Sequence, residues 1–292
     1  MRKQLITIVL LVFVAGACNS PSGKSGERTV TVTIPPVAWF VETIAGDDFN
    51  INVMLPPGAD HHIWEPLPAQ INSLSGSEAL IANGQLGFEE AWMKRFLQVK
   101  PDMRILDLSQ NIELISADTD ADDEGHGHTE HMHEGADPHF WMSPAEAAIM
   151  AADISEFLSG LNPGSAEKYE ANYLSLADSI AVLDSLVRNA VVSMKKKIVL
   201  IYHPALAYIA RDYGFEQVSF EDEGKSPSPA RMKELIDMAR EKEIKTIFIQ
   251  AEYDVRNAES LARESGAELV VINPMNRDWP ATVREVANAL LR

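Results

Sequence analysis

Short apolar runs alternate with amphipathic stretches along the chain, and this alternation predicts an α/β fold with parallel strands. In the first half, the pattern predicts strands at 29–34, 50–55, 79–82 and 104–108, with helices at 37–45, 68–74 and 88–98. Regular patterning stops at Ser116 and resumes at Ser143-Pro144, where a serine followed by proline is typical of a helix start.

The second half repeats this rhythm. It predicts strands at 198–202, 217–220, 246–250 and 269–272, with helices at 205–213, 228–241, 258–265 and 280–291. Each half therefore has the pattern of a small doubly wound unit. We expect a first lobe over 29–162 and a second over 197–292.

A long amphipathic segment connects the halves. From Ser165 to about Lys195 there is no Gly or Pro, and the apolar residues form one helical stripe, Tyr169, Tyr173, Leu176, Ile180, Leu183, Leu186, Val187 and Val191. A helix of this length spans ~45 Å. The prediction is two α/β lobes joined by one linking helix over 163–196.

The start of the chain has the pattern of a secretory signal peptide over 1–17. Arg2 and Lys3 precede an apolar run at 5–14, which is too short for a spanning helix of ~20 residues. Ala15-Gly16-Ala17-Cys18 resembles a bacterial lipobox, which predicts a lipid on Cys18 and a polar tether over 18–28. The expected location is on a membrane, facing the periplasm or the cell exterior; the alternative is an ordinary signal peptide.

Composition limits which residues can bind a metal and which partners the chain can have. Cys18 is the only cysteine, so a metal site in the folded part must use His, Asp or Glu. The net charge of −18 makes a nucleic-acid partner improbable, because phosphates would be repelled.

Four of the eight histidines lie at predicted element ends. His61 and His62 follow the second strand and the turn 56–58, His139 precedes the helix start at 143–144, and His203 follows the strand at 198–202. Each alone is typical of a hydrogen-bonding loop residue. Ligands of open α/β sheets bind at the carboxyl ends of strands, so together they predict a metal site between the lobes.

The other four histidines lie in an acidic segment. Residues 118–137 read DTDADDEGHGHTEHMHEGAD and contain His126, His128, His131 and His133. Such a segment has too few apolar groups to form a core and predicts a loop over 116–137. Short His-rich tracts often bind metal, so we interpret it as an auxiliary metal-gathering loop rather than only a solvated acidic one.

Three motifs resemble those of the zinc-binding solute receptors of bacterial ABC importers, which are related to manganese receptors. They are GADHHIWEP at 58–66, DPHFWMSP at 137–144 and YHPALAY at 202–208. The resemblance implies zinc ligands at His62, His139 and His203. His61 stands where the family often has proline, and it is a candidate fourth ligand.

The resemblance implies a monomeric receptor that passes Zn²⁺ to an ABC permease with its ATPase, and no enzyme activity. The manganese branch has an aspartate after the last strand, whereas this chain has Asn273-Pro274 there, which favours zinc. Gln250 stands where glutamate is frequent. A manganese or iron receptor and a metal buffer or chaperone are the alternatives. A zinc hydrolase is disfavoured because no H-E-x-x-H motif is present.

Overall fold

Two parallel sheets, each of four strands, form the framework of the part that the computed structural model describes, residues 28–116, 135–221 and 227–292. The first sheet has the order β2-β1-β3-β4 and the second β6-β5-β7-β8. The strands are β1 Thr29–Val32, β2 Asn50–Val53, β3 Ala79–Ala82, β4 Arg104–Asp107, β5 Ile198–Ile201, β6 Glu216–Ser219, β7 Thr246–Gln250 and β8 Glu268–Ile272.

Helices connect the strands, as parallel pairing requires. They are α1 Pro35–Ala45, α2 Pro68–Ser75, α3 Gly87–Val99, α4 Pro144–Leu161, α5 Ala166–Ser193, α6 Ala207–Tyr213, α7 Pro229–Glu241, α8 Arg256–Ser265 and α9 Trp279–Leu290. Short 3-10 helices cover Gly46–Asp48, His139–Met142 and Pro163–Ser165. Proline occupies the first turn of α1, α2, α4, α7 and α9, where its missing N–H has no intrahelical role.

Helix α5 has 28 residues and is ~42 Å long. It packs against α1 and α4 of the first half and against α6 and α9 of the second. Most of the predicted apolar stripe is buried, including Leu176, Leu183 and Val187, while Tyr173 and Leu186 are partly buried against the same core. One helix therefore contributes to the packing of both lobes.

Two tryptophans connect the lobes close to the predicted site. The indole N–H of Trp141 donates to the carbonyl of Pro274 at 3.0 Å, and that of Trp279 donates to the carbonyl of Trp141 at 2.6 Å. Both rings are almost fully buried, and Trp279 packs against Phe40 of α1 with ring centroids 5.0 Å apart. Because these donors are buried and paired, the contact fixes the lobes relative to one another.

The predicted fold class, two parallel-sheet α/β lobes with a long helix between them, is confirmed. The lobe boundaries at 162/163 and 196/197 stay predictions. Within the described ranges, no helix combines the length and the apolarity needed to cross a membrane. Cys18 with the signal peptide, and His126, His128, His131 and His133, lie outside the residues that the structure describes.

Candidate metal centre

Four imidazoles meet at the junction of the two lobes. His61, His62, His139 and His203 each present a ring nitrogen, and these four atoms all lie within 4.8 Å of one another. The Nε2 atoms of His61 and His139 are 3.0 Å apart, and those of His62 and His203 are 2.9 Å apart. Ligand nitrogens at Zn–N distances of about 2.0–2.1 Å in a tetrahedron lie about 3.3–3.4 Å apart. The two measured Nε2 separations are a few tenths of an ångström shorter than that value, so a small outward shift of the rings would give tetrahedral spacing.

A tight turn brings two neighbouring histidines to one point. The chain leaves β2, reverses at Gly58 with φ of +76°, and enters a turn in which the Asp60 carboxylate accepts the His62 backbone N–H at 2.9 Å. The rings of His61 and His62 then stack with centroids 3.9 Å apart. In extended backbone they would point to opposite sides. The structure therefore places His61 beside the three histidines that the family resemblance singles out.

The carboxylate of Asp137 holds His139. Its Oδ1 atom accepts the His139 backbone N–H at 2.7 Å and lies 2.8 Å from the ring Nδ1. With the Nδ1 proton directed at Asp137, Nε2 is left with a free lone pair facing the other imidazoles. Tyr208 of α6 in turn holds Asp137, since its hydroxyl donates to the Asp137 carbonyl at 2.7 Å and accepts the Ile115 N–H at 3.2 Å.

Two side chains hold His203, the one member of the cluster that comes from the second lobe. Gln250 lies at the end of β7, where its amide accepts the His203 N–H at 3.3 Å and donates to the His203 carbonyl at 2.6 Å. Glu221, directly after β6, places Oε1 2.7 Å from the ring Nδ1. The carboxylate therefore turns Nε2 of His203 toward the cluster, as Asp137 does for His139.

Burial divides the four histidines into two pairs. His61 and His139 are 1% and 2% exposed, whereas His62 and His203 are partly exposed. Burial, together with the neighbouring imidazoles, lowers the pKa of His61 well below its usual value. Burial also lowers the pKa of His139, against the opposing effect of Asp137. Both rings are thus neutral at pH 7 and able to coordinate a metal.

A cleft of about 780 Å³ lies between the two lobes, and none of the four histidines lines it. Its first-lobe wall includes Leu55, Pro57 and Ala59 of the segment that leads to His61, and its second-lobe wall includes Glu252 and Asn273. Asn273 follows β8, the place where the manganese branch has an aspartate. The cluster formed by the described residues contains imidazoles and no such carboxylate. Imidazole suits zinc, whereas Mn²⁺ prefers oxygen ligands.

Sequence reasoning missed two residues of the centre. Glu221 was not singled out, and Gln250 was noted only because it stands where the family frequently has glutamate. A weak signal for Glu221 was available, because it directly follows a predicted strand, as His203 does. The tryptophans of the two first-lobe motifs pack around the centre: Trp64 lies against Phe88, and Trp141 is buried next to His139.

Comparisons with known proteins agree with this geometry. A family model described as the periplasmic component A of the zinc-uptake complex matches residues 30–291. The chain is 25% identical over 281 residues to the zinc-binding lipoprotein AdcA of Streptococcus pneumoniae serotype 4, with 94% of this chain and 56% of AdcA covered. It thus spans about half the length of that relative.

Two further similarities extend over nearly whole proteins. The chain is 27% identical over 281 residues to the high-affinity zinc uptake system protein ZnuA of Bacillus subtilis, with 93% of this chain and 88% of that protein covered. The crystal structure of a ZnuA superposes with a TM-score of 0.80 at 30% identity and covers 90% of this chain and 99% of its own.

Proposed function

Since the chain belongs to the family of periplasmic A components of zinc-uptake complexes, we propose that it is an extracytoplasmic receptor that captures Zn²⁺ and delivers it to an ABC permease with its ATPase. The observation that carries the proposal is the convergence of four imidazoles from two lobes within 4.8 Å. Relatives named for zinc binding and zinc uptake support the same cargo.

The proposed ligands are His62, His139 and His203, with His61 as the fourth. Geometry supports His61 as a ligand, since its buried Nε2 lies 3.0 Å from that of His139. Its Nδ1 is buried with no hydrogen-bond partner among the described residues. Metal-binding histidines usually donate this second N–H to a partner, so the assignment of His61 rests on the position of its Nε2. Four imidazoles complete a tetrahedral zinc site.

Two segments outside the metal centre, the start of the chain and the acidic tract, fit a receptor that delivers zinc at a membrane surface. We propose that Cys18 carries a lipid that anchors the protein, and that the protein acts as a monomer. The acidic tract with His126, His128, His131 and His133 would bind Zn²⁺ weakly and exchange it fast, and so raise the zinc concentration near the cleft. Half of the histidines of the chain lie in this tract, which supports metal binding over a merely solvated acidic tract.

A competition titration tests the proposal. Metal-stripped protein that starts after Cys18 is titrated with Zn²⁺ and, separately, with Mn²⁺ against a calibrated chelator. We expect one tight Zn²⁺ site per chain that Mn²⁺ displaces poorly. His203→Ala should abolish tight binding, and His61→Ala should weaken it. His133→Ala is the matched control, because it removes an imidazole that is not one of the four proposed ligands and should leave the tight site unchanged.

Other outcomes would redirect the assignment. Tight binding that survives His203→Ala would remove the cluster from the mechanism and leave the acidic tract as the centre. Preference for Mn²⁺ would support a manganese receptor of the same family. Tight zinc binding without zinc-dependent uptake in cells that contain the permease would favour a metal buffer.

A further inference from the structure

Two carboxylates contact the metal centre without belonging to the four-imidazole cluster, and they come from different lobes. Asp137 lies behind His139 in the first lobe and Glu221 behind His203 in the second. In each case a carboxylate oxygen is 2.7–2.8 Å from Nδ1, the nitrogen that faces away from the cluster. Both carboxylates are 13% exposed, and so are largely withdrawn from water.

The charge balance of the proposed site requires anions nearby. Four neutral imidazoles around Zn²⁺ leave a net charge of +2 in a place that is largely closed to water. Moving an uncompensated charge into such surroundings costs several kcal/mol or more. Asp137 and Glu221 together carry −2. The two lobes therefore each bring one compensating charge when they enclose the ion.

Glu221 also leaves one of its carboxylate oxygens unshared. Its Oε2 is buried and has no hydrogen-bond partner among the residues that the structure describes. For a carboxylate that only had to orient His203, one oxygen would suffice, and burying the other without a donor would be a net cost. Next to a divalent ion, the same unshared charge is stabilising.

We propose that Glu221 is the positioning residue of His203, and that with Asp137 it supplies the negative charge that zinc capture requires. This inference rests on the proposed function. Glu221 fixes the Nδ1–H tautomer of His203 and thereby directs the Nε2 lone pair at the ion. Its charge also favours the ion over the metal-free cleft. Because Glu221 and His203 follow neighbouring strands, β6 and β5, the sheet itself sets their separation.

Three variants of the chain that starts after Cys18 separate orientation from charge. Glu221→Gln keeps a hydrogen-bond acceptor but removes the charge, whereas Glu221→Ala removes both. Glu216→Gln is the matched control, since it makes the same change at the exposed start of the same strand. Zinc affinity is measured by chelator competition, and loss of such an outer partner typically costs 10–100-fold. We expect roughly tenfold weaker binding for Glu221→Gln and roughly 100-fold for Glu221→Ala.

A second measurement reports on the ring directly. Long-range ¹H–¹⁵N spectra of the metal-free protein show which nitrogen of His203 carries the proton. The wild type and Glu216→Gln should show the Nδ1–H tautomer, and Glu221→Ala should show a mixture. Cobalt(II) spectra should keep the bands of a four-nitrogen tetrahedral site in all variants, because Glu221 is not itself a ligand.

Several results would overturn the inference. One is a zinc affinity within threefold of wild type for both variants at Glu221, because a threefold change is a binding free energy of only about 0.7 kcal/mol. Wild-type affinity for Glu221→Gln alone would remove the role of charge. An unchanged His203 tautomer in Glu221→Ala would remove the positioning role, and altered cobalt bands would make Glu221 a ligand. Absence of a tight zinc site in the wild type would instead refute the proposed function, and the tautomer spectra would still test the positioning role.

Discussion

The metal-free protein should lose stability as the pH falls below about 6.5, and removal of His61 should make this loss shallower. His61 is 1% exposed, and burial lowers its pKa well below the usual value. In the unfolded chain the same ring regains its ordinary pKa of about 6.5. Between the two pKa values the unfolded state therefore binds one more proton than the folded state.

The sign and the size of the effect follow from this difference. Stability from the neutral ring is fully present above the unfolded pKa and is lost as the pH falls through the window toward the lowered folded pKa. One such group changes the free energy of unfolding by at most about 1.4 kcal/mol per pH unit. His139, whose pKa burial also lowers, adds a second contribution of the same sign. His61→Asn should therefore remove roughly half of the joint slope.

Urea denaturation of the metal-stripped protein measures the slope. Free energies of unfolding are extrapolated to water at several pH values between about 7.5 and about 5.5. The difference between wild type and His61→Asn reports the contribution of His61 together with its effect on the three neighbouring imidazoles. Ile63→Asn is the control, because it places asparagine on an 80% exposed residue of the same turn. Equal slopes for wild type and His61→Asn would show that the buried imidazole is not held neutral, and the reasoning from burial would be wrong.

Two further predictions concern the residues that hold the histidines. Tyr208→Phe removes the hydroxyl that joins Ile115 and Asp137, so the free energy of unfolding should drop by about 1–3 kcal/mol. Zinc affinity should also fall, because His139 loses its support. Urea denaturation measures the first effect and chelator competition the second, and unchanged zinc affinity would show that Tyr208 does not support the site. Gln250→Glu places an oxygen where the amide N–H now donates to the His203 carbonyl. Zinc affinity and the free energy of unfolding near neutral pH should therefore both fall. Wild-type values of both quantities would contradict the assigned contact.

The fold could be predicted because its strands are short and regularly spaced, and the central strands of each sheet are buried. The predicted bounds 79–82 and 246–250 are the observed bounds of β3 and β7, in which every residue is buried. Element ends were less accurate. Strand β1 was predicted to extend to Ile34 but ends at Val32, because Ile34 is already the N-cap of α1 and the helix begins with two prolines. Helix α6 begins at Ala207 rather than at Ala205, since the chain after His203 first makes a turn.

The convergence of the histidines could be predicted, whereas their supports could not. A histidine directly after a strand stands out in a sequence, and strand order places such ends together. Glu221 is one of 43 acidic residues, and its place after a predicted strand is only a weak signal among them. The role of Gln250 depends on the backbone of the neighbouring strand, which only the paired sheet brings within reach. Contacts of this kind are set by register, and a one-dimensional pattern does not contain the register.

The origin of the four imidazoles shows how such a site could release its ion. Three of them, His61, His62 and His139, come from the first lobe, and only His203 comes from the second. The indole contacts between Trp141 and the second lobe, together with α5, resist large lobe movement. A small rotation would nevertheless change the distance from His203 to the other three while those keep their mutual geometry. Because His62 and His203 form the partly exposed pair, the ion would leave on their side. In the proposed receptor, the placement of this one imidazole by Glu221 and Gln250 would therefore govern how tightly zinc is held.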